Sequence, residues 1–425
     1  MTPRGPSGLT GMTIQQTLRI DGRVLLPGDG GYDDHRKALN PALDPRPAVV
    51  VRAAGTADVR RAVLAARRHA LPFAVQATGH GTHVAHDGAL LLHTGAMAAV
   101  VVDPGRRIAR VGPGARWGDV LRAAAPFGLA PLSGSSPDVG VTGYTLGGGL
   151  GWLARAHGLA ADSVLRAQLV TADGTLRTVS ADHDPDLFWA LCGGGGSFGV
   201  VTALEFRLYP VTRVYAGALT FGRDRAAETL GYYRRWIERV PDALSSAVLL
   251  TRDGSLVLKA MYAGDPDRGR ALLEPLRTVA GPVLDDGMRV VDYAHAAMGG
   301  TFARTFDQVR TLDDDLLAAL LDEPDSTVEI RHWGGRIARD SGAAAHRDAP
   351  LSIVLDTVAS ARTAAALDRC GIGSGFLNFL HDPSRMSSAF TAGNWAALRR
   401  IKAANDPDNV FGAGLAVPPA VLTAA

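Results

Sequence analysis

Three histidines recur at every third position of "VQATGHGTHVAHDG", residues 75–88: His80, His83 and His86. Imidazole serves as metal ligand, general base or nucleophile, so the spacing has to discriminate among these uses. A helix brings i and i+4 together, whereas these residues lie at i, i+3 and i+6 around Gly79 and Gly81. No HExxH-type motif or carboxylate cluster accompanies them, so no metal is expected. The two glycines let main chain approach an anion, and successive N–H groups there form a nest. The competing reading is an ordinary tight turn. Residues 193–199, "GGGGSFG", spell GxGxxG at Gly194, Gly196 and Gly199. A dinucleotide fingerprint follows a strand and opens a helix; here the order is reversed, which rules that fold out. The run instead points to something packed against bare backbone. The tract 132–151 holds glycines at 134, 140, 143, 147, 148, 149 and 151. So many ordered glycines point to a large flat ligand lying on main chain. No GxSxG elbow is present, which removes the usual serine-hydrolase reading.

These segments need elements to hold them. "PAVVVRAA", "TADVRRAVLAARRHA" and "LPFAVQAT" read strand–helix–strand, with Thr56 as N-cap and Val59, Ala62, Val63 and Ala66 on one helix face. The unit delivers "GHGTH" to a strand end. "RWGDVLRAAAPFG" is a helix closed by Gly128, and "RAQLVTADGTLRTVS" a hairpin turned on Asp173-Gly174. "DPDLFWAL" is a short helix with Asp184 as N-cap and Pro185 at N1. The strand over 198–208 puts Val200, Thr202, Leu204, Phe206 and Leu208 on one face. Beyond Pro210 longer alternating strands, separated by helices such as "AAETLGYYRRWIERV", predict an antiparallel sheet backed by helices. The tail "NWAALRRIKAANDPDNVFG" is a helix ending before Pro407.

The chain has 425 residues, 47% of them hydrophobic, and a mean hydropathy of +0.07, as expected of a globular protein of two or three domains. A net charge of +2 without like-charge blocks implies neither nucleic acid nor a membrane surface as partner, and favours a small molecule. Cys192 and Cys370 are the only cysteines; one disulfide is possible, no framework exists, and a cytoplasmic location fits. The N-terminal stretch lacks the apolar core of a signal peptide.

"ATGHG", "SGSSPDVGVTGYTLGGGLGWLARAHGLAADSV", "DPDLFWALCGGGGSFGVVTALEFRLYPV" and "NWAALRRIKAANDPDNVF" together resemble the berberine bridge enzyme-like FAD-linked oxidases of the vanillyl-alcohol oxidase, or PCMH-type, superfamily. The blocks cover nearly the whole chain in the same order. The resemblance implies an α+β protein. Its PCMH-type FAD-binding domain of two α+β subdomains spans 45–212, and a substrate domain with a large antiparallel sheet spans 213–375. A C-terminal segment, 376–425, returns to the FAD domain together with 1–44. It implies FAD bound covalently through His80. Cofactor contacts fall to Thr78, Gly79, Gly81, Thr82, Ser135, Ser136, Val139, Gly140, Gly143, Tyr144, Gly148, Gly149, Gly151, Gly199, Val201 and Asn394. Many relatives carry a second link from a Cys before Pro-x-Val-Gly; Ser136 stands there, so a single link is expected. Val139, a small residue where relatives guide oxygen, implies an oxidase.

The resemblance further implies hydride transfer from a small organic molecule to flavin N5, with molecular oxygen as final acceptor and natural-product tailoring as a context. The tyrosine that relatives carry before the tail Asn is replaced: the segment reads Phe390, Thr391, Ala392, Gly393, Asn394, Trp395. Tyr144 becomes the leading catalytic candidate, with His332, His346 and Tyr293 behind it. Two alternatives use the same scaffold, a redox-neutral cyclase or isomerase and a drug-sequestering resistance protein. Neither substrate nor oligomeric state is written in the sequence.

Overall fold

The structure, a computed structural model, describes residues 14, 17–296, 298–339 and 342–421. Three sheets organise it. The first has the order β1-β2-β4-β3, from Arg23–Leu25, Val49–Arg52, Phe73–Gln76 and Leu90–His93. Its last three strands run parallel. Val49, Val50 and Val51 are all 0% exposed because both faces are covered. The helix Thr56–Arg68 packs Val59, Ala62, Val63 and Ala66 on one face. Its N-cap is Gly55, not Thr56, and no side chain caps it. The first-turn Asp58 instead turns back to accept the N–H groups of Asp21, Gly22 and Ala54, pinning the approach to β1.

The second sheet is antiparallel, β5-β6-β9-β7-β8, from Val100–Asp103, Ile108–Val111, Val164–Val170, Leu176–Ser180 and Val200–Arg207. The Asp173-Gly174 turn joins β7 to β8, with Gly174 at φ 78°. β9 departs from the alternation its sequence predicts. Its register on β7 slips between Gln168 and Leu169, so Val201 joins Leu204, Phe206 and Leu208 in one core while Val200 enters another. A bulge reverses the side-chain sense, which period-two counting cannot anticipate. Asp184 does precede the helix Pro185–Leu191, but at φ 55° its carboxylate caps nothing and pairs with Arg177.

The third sheet is the large antiparallel one, β13-β10-β12-β11-β16-β17-β15, with β14 also on β10. Its strands are Arg213–Gly222, Leu244–Leu250, Ser255–Tyr262, Val283–Asp286, Arg289–Asp292, Thr305–Val309, Val328–His332 and Leu351–Leu355, β10 to β17 in chain order. One face carries Leu219, Val248, Leu258, Ile330 and Ile353 under the helices Ala226–Trp236, Pro266–Ala280, Asp314–Leu321 and Ala361–Cys370. The other face, with Val214, Ala216, Ala247, Leu249 and Met261, packs on Leu132, Trp152 and Leu153 of the glycine-rich segment. The helix Ala392–Asn405 returns to the second sheet, where Leu398 is 0% exposed. Cys192 and Cys370 are both free thiols. No helix among the described residues is long and apolar enough to cross a membrane.

Candidate active site

The glycine-flanked loop leaves the end of β3. Gly79, at φ 80°, lets its carbonyl accept from both Leu39 and Thr82. The Thr82 hydroxyl donates to Gln76, whose amide in turn donates to the Lys37 carbonyl, so both ends of the turn are fixed. The N–H groups of Gly79, His80 and Gly81 meet no acceptor among the described residues. The His80 ring is half-buried and its Nδ1 lies 3.0 Å from Thr78 Oγ1. Burial lowers its pKa, Asp138 opposing and Arg116 assisting, so the imidazole is neutral. The three histidines part company here. His83 faces His381, Nδ1 to Nδ1 at 3.0 Å, and burial takes it down to about 4. His86 is half-buried beside Gly414.

A second segment abuts this loop. Residues 137–141 bind along 115–118: Trp117 N–H donates to Val139 O and Gly118 N–H to Pro137 O. A Cβ on Gly140 would sit 3.3 Å from Thr78 Oγ1, so the two segments touch there. The following glycines have mostly protein reasons. A Cβ at 134 would strike Tyr144, at 147 Asn378, at 148 Phe376, at 149 Ala160 and Tyr144, and at 151 the Ser133 carbonyl. Within the three glycine segments the Cβ direction is open only around Gly81, Gly88, Gly143 and Gly196. The expectation of a ligand on every bare glycine thus narrows, because the Tyr144 ring and the loop 376–378 fill most of those places. Asn378 clasps the segment, accepting from Gly149 N–H and donating to the Tyr144 carbonyl.

Tyr144 stands edge-on to Trp117, and its hydroxyl is buried without a partner among the described residues. Burial raises its pKa well above 10, Tyr293 adds to this and Arg331 opposes it. The Tyr293 hydroxyl meets Ser133 Oγ at 3.0 Å and burial pushes it up to about 12. Both phenols therefore stay protonated near neutrality; Tyr144 is equipped to donate a hydrogen bond, not to act as a resident base. His332 accepts from Arg155 Nη1 at 2.6 Å and is held neutral by burial, at about 2. It lines a cleft of about 450 Å³ on the helix side of the third sheet. There Arg234 is paired with Asp314 and Arg310 with Asp348. His346 uses its carbonyl on Gln308. Ser135 Oγ accepts from Trp152 Nε1, and Ser136 Oγ from its neighbour Asp138 N–H.

The remaining expected contacts have protein partners of their own. Val201 is buried in the core with Phe206, and Gly199 is pressed against Leu169 and Val170. The Asn394 amide staples the carbonyls of Gly342 and Ala343. Conversely, three charged residues not singled out from the sequence face Trp152 from the third sheet: Lys259, Glu329 and Arg331. The alternation in "VEIRH" carried that signal, since two charges at i and i+2 share one face of an otherwise apolar strand.

Residues 47–180 match the FAD binding domain family. An uncharacterised FAD-linked oxidoreductase of Bacillus subtilis is 26% identical, over 95% of this chain and 98% of its own. The (R)-6-hydroxynicotine oxidase of Paenarthrobacter nicotinovorans is 38% identical over 48% of this chain and 45% of its own. The crystal structure of 6-hydroxy-D-nicotine oxidase from Arthrobacter nicotinovorans superposes with a TM-score of 0.85 at 27% identity, covering 95% of this chain and 99% of that one. Fold and site thus define an FAD-linked oxidoreductase of the PCMH type. The chain's fold is also that of the Physcomitrella patens BBE-like 1 protein, with a TM-score of 0.87 at 22% identity over 96% of this chain and 99% of that one, and FAD is its cofactor. The residues present fit such a group. The unpaired N–H groups at 79–81 suit a pyrophosphate, and the open directions at Gly81 and Gly143 leave room beside main chain.

Proposed function

We propose that this protein is an oxidase that holds FAD through a single covalent bond to His80 and oxidises a small organic molecule at the expense of oxygen. The observation that supports it is His80 itself: a neutral imidazole in a fixed glycine frame, with Nδ1 at Thr78 and no partner for Nε2 among the described residues. Only a neutral ring has a lone pair with which to form such a bond. When bound, the flavin supplies a hydride acceptor that oxygen can reoxidise. The chain's own residues do the rest. Gly79 to Gly81 offer N–H groups to the pyrophosphate; the protonated Tyr144 hydroxyl donates to substrate or ring; Trp152 and the inner sheet face exclude water.

Val139, Ser136 and Asn394 are proposed as cofactor neighbours, and a cytoplasmic role in tailoring small metabolites agrees with the composition. Acid precipitation tests the linkage: the yellow colour should stay with the precipitate, and His80→Ala should release it into the supernatant. Colour released from the unaltered protein would refute the covalent bond. Hydrogen peroxide formed in step with substrate loss separates this reading from a redox-neutral cyclase.

A further inference from the structure

The inner face of the third sheet carries charge where burial favours apolar groups. Lys259 on β12 and Arg331 on β16 both pair with Ala247 on β11. The three form one row across adjacent strands, two long cations flanking a methyl group. Strands about 4.8 Å apart put the two outer Cα atoms about 10 Å from each other. Glu329 shares the face, two residues before Arg331. It is 2% exposed and its oxygens are engaged. Oε1 takes Arg331 Nη2 at 2.8 Å; Oε2 takes the hydroxyl and N–H of Thr301 at 2.7 and 3.2 Å.

Glu329 holds Arg331 directly and is near enough to Lys259 to feel its charge, yet one anion offsets only one of the two cations. Lys259 is half-buried and makes no hydrogen bond or ion pair among the described residues. Arg331 is 9% exposed, yet its Nε is buried without an acceptor. Its guanidinium lies 5.2 Å from the Trp152 ring, and Tyr144 is close enough to feel its charge. An uncompensated charge and an unmet N–H, both partly out of water, each cost free energy that a bound anion recovers. A cavity of about 10 Å³ between Gly151, Trp152, Ser245 and Arg331 holds about one water. Water there satisfies the N–H but leaves the surplus charge. A carboxylate satisfies both, taking a guanidinium edge and an ammonium together.

We propose that Arg331 and Lys259 form a carboxylate-recognition subsite, so that the substrate is an apolar organic acid whose body lies against Trp152 and Tyr144. This rests on reading the inner face of the third sheet as the substrate side of a flavin oxidase. Benzoate and its neutral counterpart benzamide are the probes, titrated into the flavin-loaded protein and followed by visible absorbance and by tryptophan fluorescence. Benzoate should bind about tenfold more tightly than benzamide, the preference expected of a charge-assisted contact. Lys259→Met should lower benzoate affinity about tenfold and leave benzamide affinity and flavin content unchanged. Because Arg331→Leu alone strands Glu329 and endangers folding, the paired change Glu329→Gln with Arg331→Gln is the second variant; it should abolish the preference. Equal binding of benzoate and benzamide overturns the subsite, as does undiminished benzoate affinity in both variants. Phosphate binding as tightly as benzoate, or no saturable benzoate binding, overturns it too. If the protein carries no flavin, the oxidase reading fails, while the fluorescence titration still decides the subsite.

Discussion

Tyr144 carries a hydroxyl that is buried and meets no partner among the described residues. Leaving such a group unsatisfied costs about 1–3 kcal/mol. Tyr144→Phe is therefore expected to keep the melting temperature or raise it slightly, and at the same time to lower turnover with flavin content intact. A variant that loses both stability and flavin would mark the residue as packing alone. The acid side of the stability profile is set by other rings. His83 and His93 are both lowered to about 4, by burial first, then by His381 for one and by His35 and Arg52 for the other. Unfolded, each titrates near 6.5. Between pH 6.5 and about 4 the unfolded chain binds more protons, so stability falls as pH drops through that window. Melting curves across it should show the fall, and His83→Asn should make it shallower. Of these residues, His80 was legible because glycines frame it. His83 was not, since its partner His381 lies 298 positions away.

A second layer of predictions concerns whole elements. Lys402, 0% exposed, sends its ammonium to Asp406, to the Ser197 carbonyl and to the Phe411 carbonyl. Lys402→Met strands the Asp406 carboxylate and should cost about 3–5 kcal/mol, readable as a lower denaturant midpoint. Adding Asp406→Asn should recover part of the loss, because the stranded charge is gone and the Val410 N–H keeps its acceptor, although the Phe411 N–H loses one. Sequence pattern served unevenly at this scale. β11, β12, β16 and β17 announce themselves by alternation, since one face meets helices and the other the glycine-rich segment. β13 and β14, "VLDD" and "RVVD", are largely exposed edge strands with no apolar face to display. They reach β10 through Gly217, where any Cβ would lie 2.2 Å from the Gly287 carbonyl. The bulge in β9 was equally silent, since a register shift leaves composition unchanged.

Across the molecule, the His80 loop hangs from the first sheet, the glycine-rich segment adjoins the second, and the charged row belongs to the third. A ligand that binds only this assembled arrangement stabilises it by mass action, by about 2.7 kcal/mol at a hundredfold excess over Kd. His80→Ala stripped of flavin should thus melt lower than the flavin-loaded protein and recover on addition of free FAD. Identical melting with and without FAD would show that the cofactor does not join these parts. Strand and helix patterning disclosed the general architecture, and glycine spacing disclosed the loop. The charged row stayed hidden because its members come from separate strands brought together only by sheet order.

Ser197 sits in the turn between the helix Pro185–Leu191 and β9, and it is gripped twice from far along the chain. Lys402 takes its carbonyl across 205 positions, and the Val417 N–H takes its hydroxyl across 220. During synthesis, that turn waits for every strand of the third sheet to be made before its partners arrive. The loop-closure entropy of such distant contacts delays them further. The two grips that fix this turn therefore form only once the last helix has been made and seated.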